Sequence, residues 1–302
     1  MSRNLLHGSV HEIYQTILND FPKDWEDIIP VGTEVPLSFG DHGDPYHYSL
    51  IPLKRQNSIK LLFFRSGRKH RASAPSYFVH KQLLDVDAKI LHTGFEELLQ
   101  IPFCSEDVFD AIATDPSQPL RPDLSWSGSP VEIHPEVLRS ILHALIRRWR
   151  SGSNPVIISV PEMSPEAYNR YTFGAICTIY RCLPAALRGQ IGFMTYAATK
   201  NQLDSVGLFF LPERATNSGI YLDRETEASR QLMSGYLPEC IEEMIQRIVS
   251  NPRQRDKELD FLWDRVESRI PPESIHENHY VRALEYRRLV QDQRSGALSA
   301  NQ

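Results

Sequence analysis

The most regular pattern of apolar and polar positions lies just past the middle of the chain. A short, mainly apolar run, Val156–Val160, is rich in β-branched residues, which predicts a strand buried on both faces. Ser164 and Pro165 then suit the N-cap and first residue of a helix whose apolar residues recur at spacings of three and four. Two further apolar runs, 191–196 and 206–211, predict two more strands. Together these elements predict a central βαβ unit, provided that the first two strands pair in parallel.

The same periodicities continue on both sides of this unit. Before it, apolar residues predict a β-hairpin and one more strand, and after it three amphipathic segments predict a small group of helices. The predicted strands are 46–53, 58–65 and 77–84. The predicted helices are 134–149 before the central unit, and 238–249, 256–266 and 276–289 after it.

These elements predict an α/β fold, of the mixed α+β kind. It has a mixed β-sheet with the central βαβ unit, packed helices and a C-terminal helical subdomain. Proline and serine accumulate between residues 113 and 132, which favours a domain boundary, although a long surface loop within one domain would have the same composition. The predicted organisation is a mainly β region at 1–112, a connection at 113–132, an α/β core at 133–230, a helical subdomain at 231–293 and a disordered tail at 294–302.

Composition places the chain among ordinary globular proteins. Of its 302 residues, 41% are hydrophobic and 24% are charged, which argues against a disordered or fibrous protein. No apolar run approaches the length of about 20 residues that spans a bilayer, and the first residues lack the apolar core of a secretory signal. We therefore expect a cytoplasmic protein that does not contact membranes.

The cysteines favour a structural role. Cys104, Cys177, Cys182 and Cys240 include no Cys-x-x-Cys spacing, and two of them fall on or just beyond one predicted helix. This arrangement disfavours a disulfide framework or a zinc site. We expect four buried thiols, and we predict no metal and no other cofactor.

The most unusual local feature is charge. The segment 45–84 contains no Asp or Glu, although the whole chain has a net charge of −5. Its eight basic residues are Lys54, Arg55, Lys60, Arg65, Arg68, Lys69, Arg71 and Lys81. A positive patch of this kind can hold a nucleic-acid backbone, a nucleotide phosphate or an acidic protein face. The alternative is that these cations protect the solvent edge of β-strands against aggregation. The candidate binding residues are Arg65, Arg68, Lys69, His70, Arg71 and His80.

Motifs for catalysis are lacking, and we assign no catalytic residue. The chain has no Walker loop, no dinucleotide fingerprint and no Gly-x-Ser-x-Gly element. His80 follows an apolar run and is expected to be a hydrogen-bonded structural residue, with catalysis the lesser alternative. Arg188 is suited to cap a helix end, Glu96 and Glu97 read as surface carboxylates, and Trp126 lies in a Ser- and Gly-rich run that reads as a linker.

A family resemblance is carried by several short motifs between about residues 5 and 212. Gly67-Arg68, followed after a gap by the aromatic pair Tyr77-Phe78 and then His80, resembles an element of the N-terminal domain of the bacterial GTPase-associated protein family. The run from Leu183-Pro184 to Tyr196, and the short segments 6–8 and 33–37, are similar to further landmarks of that domain. Ala74-Pro75-Ser76 departs from the pattern, since it stands where the family usually has Gly-Asn.

The resemblance implies an adaptor or sensor module in an NTP-dependent conflict system. Our first hypothesis is therefore a non-enzymatic interaction module that couples a GTPase or other NTPase to an effector in bacterial defence, with one of those proteins as its partner. The alternative is an enzyme or a binder that acts on a phosphorylated or nucleic-acid ligand through the basic segment 54–81. The resemblance carries over no catalytic residue, and it favours a strand for the ambiguous segment 11–19.

Overall fold

A computed structural model describes most of the chain. The described residues are 2–9, 15–19, 21–28, 46–55, 58–69, 76–115, 117–119, 121–152, 154–196, 206–216 and 219–299. Side chains are described within these ranges except at 2–19, 68–69, 76–77, 113 and 294–299.

Within these residues eight strands form one mixed sheet. The strands are β1 (Ser2–Ser9), β2 (Gln15–Asn19), β3 (His47–Arg55), β4 (Ser58–Lys69), β5 (Ser76–Asp85), β6 (Val156–Val160), β7 (Gly192–Thr195) and β8 (Val206–Pro212). Their order across the sheet is β2-β1-β5-β4-β3-β7-β8-β6. The first five strands pair in antiparallel fashion, β3 pairs antiparallel with β7, and β7, β8 and β6 are parallel.

The helices lie before, within and after the parallel strands. They are α1 (Ala88–Thr93), α2 (Phe95–Leu99), α3 (Glu106–Thr114), α4 (Pro135–Ser151), α5 (Pro165–Arg181), α6 (Ala185–Arg188), α7 (Glu227–Gln231), α8 (Glu239–Ser250), α9 (Pro252–Leu262) and α10 (Glu277–Ser299). One turn of π-helix, Trp263–Glu267, continues α9, and a 3₁₀ helix, Lys23–Ile28, follows β2. Helices and a mixed sheet confirm the predicted α/β fold class.

The first two strands of the central unit are parallel, but they are not direct neighbours, so the stated condition is met in direction and not in pairing. β6 and β7 do not pair, because β8 lies between them and is parallel to both. All seven residues of β8 are buried, which suits a strand with neighbours on both sides. Strands that follow each other in sequence are commonly neighbours, which favours β7 beside β8. β6 is left at the end of the sheet, where Ile158 forms an isolated parallel bridge with Ile220.

The segment expected to be a linker packs into the core instead. Trp126 is 2% exposed, and its ring stacks on Tyr48 of β3 with centroids 4.2 Å apart. Its indole N–H donates to the carbonyl oxygen of Asn169 in α5, at 2.9 Å. Two residues later, a Cβ on Gly128 would lie 2.3 Å from the carbonyl oxygen of Arg170, so only glycine permits this approach. The Ser- and Gly-rich composition therefore reflects close packing against a helix.

The C-terminal helices form the group that the periodicity predicts. α8 packs against α4, α9 and α10 through a buried apolar face centred on Ile241, Met244 and Ile245. α10 continues to Ser299, into the segment predicted to be a disordered tail, because extending an existing helix requires much less free energy than starting one. The four cysteines are buried thiols, as expected. Among the described helices, none is both long and apolar enough to cross a membrane.

Candidate functional site

Two of the predicted binding residues, Arg65 and His80, lie opposite each other on β4 and β5. Both are fully buried. The Arg65 guanidinium donates from Nη1 to the carbonyl oxygen of Cys104, and Nδ1 of His80 accepts from the backbone N–H of the same residue at 3.0 Å. The pair therefore holds both polar backbone groups of Cys104. For His80 this is the hydrogen-bonded structural role expected from the sequence.

Aromatic rings surround the Arg65 guanidinium. Its central carbon lies 3.6 Å from the centroid of the Tyr46 ring and 5.2 Å from that of Phe78. Nε and Nη2 have no hydrogen-bond partner among the described residues. The cation is thus stabilised largely by ring faces, and such contacts are strongest where water is excluded. Arg65 is part of the packing of the sheet.

The other basic residues of the segment 45–84 are distributed. Arg55 pairs with Asp27, Lys60 pairs with Asp85, and Lys54 donates to a backbone carbonyl near the start of α10. Lys81 is fully buried between neighbours on β4 and β1, and burial lowers its pKa to about 7. The described cations therefore serve separate local contacts.

The remaining four candidate residues lie at the end of β4 or beyond it. Arg68 and Lys69 are the last two residues of β4, and their side chains are not among those described. His70 and Arg71 lie outside the described residues altogether. A binding role for this group of six stays a prediction.

A cleft of about 380 Å³ lies elsewhere, between α1, α2, the end of α5, α6 and α9. Its charged and polar lining residues are His92, Thr93, Glu96, Glu97, Arg181, Arg188, Arg255, Asp256 and Asp260, and its other lining residues are Phe95, Cys177, Tyr180 and Leu259. Three chain segments, far apart in sequence, build this site. Sequence reasoning missed it, although Arg188 and the neighbouring acidic pair Glu96 and Glu97 stood out individually.

Arg188 forms the inner wall of the cleft. It is 7% exposed, and its guanidinium donates to the carbonyl oxygens of Leu183, Leu91 and His92 at 2.8–2.9 Å. Burial lowers the pKa of this guanidinium, and the nearby Glu267 carboxylate opposes the effect. Arg188 therefore caps the last carbonyls of α1 and the turn after α5, which confirms the expected capping role.

Three charged contacts cross or border the cleft. Arg181 binds Glu96 of α2 through two hydrogen bonds, one of them 2.6 Å from Nη2 to Oε2, and this contact raises the pKa of Arg181. On α9, Nε of Arg255 donates to Asp256 at 2.9 Å. His92 is stacked on Trp263, with ring centroids 4.3 Å apart. Its Nε2 lies 3.8 Å from a carboxylate oxygen of Asp260.

The thiol of Cys177 in the cleft lining and that of nearby Cys182 are poor nucleophiles. Burial raises the pKa of Cys177 to about 12 and also raises that of Cys182, so both stay protonated near neutral pH. Within the described chain, no group of three or more His, Cys, Asp or Glu side chains is arranged to hold a metal ion. The arrangement of charges around an apolar floor suits binding of a charged group.

A comparison with protein families gives one match. Residues 124–224 match the model described as GTPase-associated protein 1, middle domain. No curated protein and no solved structure matches the chain. The match confirms the predicted resemblance to GTPase-associated proteins, although the domain it names is the middle one, not the N-terminal one to which the motifs were compared. Over its central third the chain is similar to that domain, which is consistent with a member of the GTPase-associated protein family.

Proposed function

We propose that this protein is a non-enzymatic adaptor that couples a GTPase or related NTPase to an effector protein in a bacterial conflict system. The family match over residues 124–224 is the observation that carries the proposal. A cytoplasmic location belongs to the same proposal. Fold and family by themselves do not determine activity, so the arrangement of the side chains also bears on the function of this protein.

The position of the matched segment supports a coupling role. It contains α4 to α6 and the three parallel strands, and it contacts the parts of the chain on both sides. Toward the N-terminal half, β7 pairs with β3 through Ser49 and Met194. Toward the C-terminal half, α4 packs against α8, where His143 lies 3.6 Å from Glu242. A partner that displaced one of these two contacts would therefore also act on the sheet and helices through which the matched segment contacts the other half of the chain.

The side chains that sequence reasoning weighed for catalysis also support a non-enzymatic role. Arg65 and His80 are buried against Cys104. Accessible charged groups, Arg181 and Asp260 among them, line an open cleft instead, where a partner can reach them.

The test is binding to a purified GTPase encoded beside this gene. We expect the full chain to bind that GTPase with an affinity that differs between its GTP-analogue and GDP forms, measured by calorimetry. We expect the chain alone to hydrolyse no GTP or ATP above background. Equal affinity for both nucleotide forms, no binding, or nucleotide turnover by the chain alone would each contradict the proposal.

A binder of phosphorylated or nucleic-acid ligands is the second candidate. β4 continues for four residues past the buried Arg65, so that Arg68 and Lys69 lie next to the connection that carries His70 and Arg71. If these residues bind phosphates, affinity for a single-stranded oligonucleotide will fall steeply with salt, with a slope of about −0.7 per phosphate contact. An Arg68→Gln/Lys69→Gln variant would then show a shallower slope. A slope near zero in the unmodified chain would exclude this candidate.

A further inference from the structure

The two long walls of the cleft carry an excess of negative charge. Glu96 and Glu97 stand on α2, and Asp256 and Asp260 lie one turn apart on the same face of α9. Arg181 and Arg255 are the accessible cations of the lining, because Arg188 is buried and engaged with carbonyl oxygens. Four carboxylates thus face two accessible guanidiniums.

Internal pairs leave part of this charge available. Arg181 engages both oxygens of Glu96, and Arg255 engages one oxygen of Asp256. The side chain of Asp260 is 70% exposed. Among the described residues it has an ion-pair contact with His92, whose Nε2 lies 3.8 Å from a carboxylate oxygen of Asp260. Glu97 is exposed and forms no side-chain hydrogen bond or ion pair with the residues that the structure describes. Carboxylate oxygens therefore remain free at both walls.

Apart from its charged residues, the cleft is lined by aromatic and apolar side chains. Phe95 and Tyr180 are stacked with centroids 4.6 Å apart, and Leu259 lies beside them in the lining. The His92 ring lies in the wall, backed by Trp263. Apolar and aromatic lining residues beside carboxylates suit a long cationic side chain, whose methylene stem can contact the apolar residues while its charged end reaches the carboxylates.

We propose that this cleft binds an arginine side chain presented by a protein partner. The inference rests on the proposed function, because it takes the occupant to be a protein that the adaptor engages. Arginine fits better than lysine because a planar guanidinium can bond two carboxylate oxygens at once and can stack on a ring. Arginine is also among the residues that dominate the binding energy of protein interfaces. A cleft of about 380 Å³ is near the lower end of ligand-site volumes, which suits one or two side chains better than a large cofactor.

The test uses the full chain and short glycine-spaced peptides that carry three arginines, three lysines or three glutamates. We expect the arginine peptide to bind best and the glutamate peptide not to bind, measured by fluorescence anisotropy at low salt. The variant Glu97→Gln/Asp260→Asn should bind the arginine peptide about tenfold more weakly. Asp107→Asn, which removes an exposed carboxylate of α3 outside the cleft lining, is the matched control and should leave binding unchanged.

Other results would overturn the inference. They include equal binding of the arginine and glutamate peptides, no binding of the arginine peptide, or undiminished binding to the double variant. The double variant must retain the melting temperature of the unmodified chain, which is expected because both side chains are exposed.

The outcome for the cleft is separable from that for the adaptor role. If the GTPase binds the unmodified chain and the double variant equally, the cleft inference fails while the adaptor role stands. If the arginine peptide binds in the cleft but no GTPase binds, the cleft stands while the adaptor role fails.

Discussion

The basic segment on β4 and β5 and the cleft beside α9 use arginine in opposite ways. Arg65 in the first is fully buried and lies against the ring of Tyr46. Arg181 in the second has a 43% exposed side chain and pairs with Glu96 across the cleft. In the first region the sequence shows an obvious run of cations, and the described ones serve packing or local ion pairs. In the second the charges come from three separate segments of the chain, and they converge. The density of charge along a chain therefore says little about where charge gathers in space.

The largest expected effect is on the buried side of this comparison. Arg65→Ala should lower the free energy of unfolding by about 3 kcal/mol, because it leaves a cavity under two rings and removes the donor to Cys104. Urea denaturation measures the change. Arg181→Ala is the control and should cost less than about 1 kcal/mol, because its partner is a half-exposed carboxylate. A loss below about 1 kcal/mol in Arg65→Ala would mean that Arg65 is available for ligands after all.

The next effect is a dependence of stability on pH in the N-terminal half. His47 is buried between Ser49 and the end of β7, and burial lowers its pKa to about 3. Because this value lies below the unfolded pKa of 6.5, the unfolded chain takes up the proton first as the pH falls. The contribution of His47 to stability is therefore present above pH 6.5 and is lost progressively below it.

Between pH 7 and pH 5 this loss should amount to about 2 kcal/mol. Denaturant titrations of the unmodified chain and of His47→Gln at both pH values measure it. The variant should be less stable at pH 7 and should lose less stability on acidification. Identical pH dependence in the two proteins would show that His47 is not the responsible group.

The smallest expected effect concerns the exposed ion pair. A double-mutant cycle with Arg181→Ala and Glu96→Ala should give a coupling free energy of about 0.5 kcal/mol, because both side chains are partly exposed and the attraction is screened. The coupling should decrease in high salt. A coupling free energy above about 2 kcal/mol that salt does not change would show that Arg181 and Glu96 behave like a buried pair. The cleft and the basic segment would then not differ in the way described.

The roles of some residues were predictable because the sequence immediately around each one indicates its kind of role. Arg188, just after the turn at Pro184, was expected to cap a helix end, and its bonds to Leu183 and His92 confirm it. His80, on an apolar strand, was expected to be structural, and its bond to Cys104 agrees. The cleft was not predictable, because α2, the end of α5 and α9 come from three parts of the chain whose approach depends on the packed core.

Local patterns by themselves determined the kinds of the main strands and helices in this protein and nearly where most of them begin, although α1 and α3 were not predicted. Alternation and apolar runs specified the strands around Ile51, Leu62 and Ile158, and three- and four-residue spacing specified α4, α5 and α8. The reason is that each pattern shows which side chains of one segment lie on its buried face, and this depends on the residues of that segment alone.

Which surfaces those segments contact depends on the tertiary structure. It placed β8 between β6 and β7, brought Trp126 onto Tyr48, and buried Arg65 while leaving Arg181 and Arg255 at an open cleft. The choice among possible neighbours depends on how well whole faces fill space together. That fit is a property of residues far apart in the chain, so no pattern within one segment contains it.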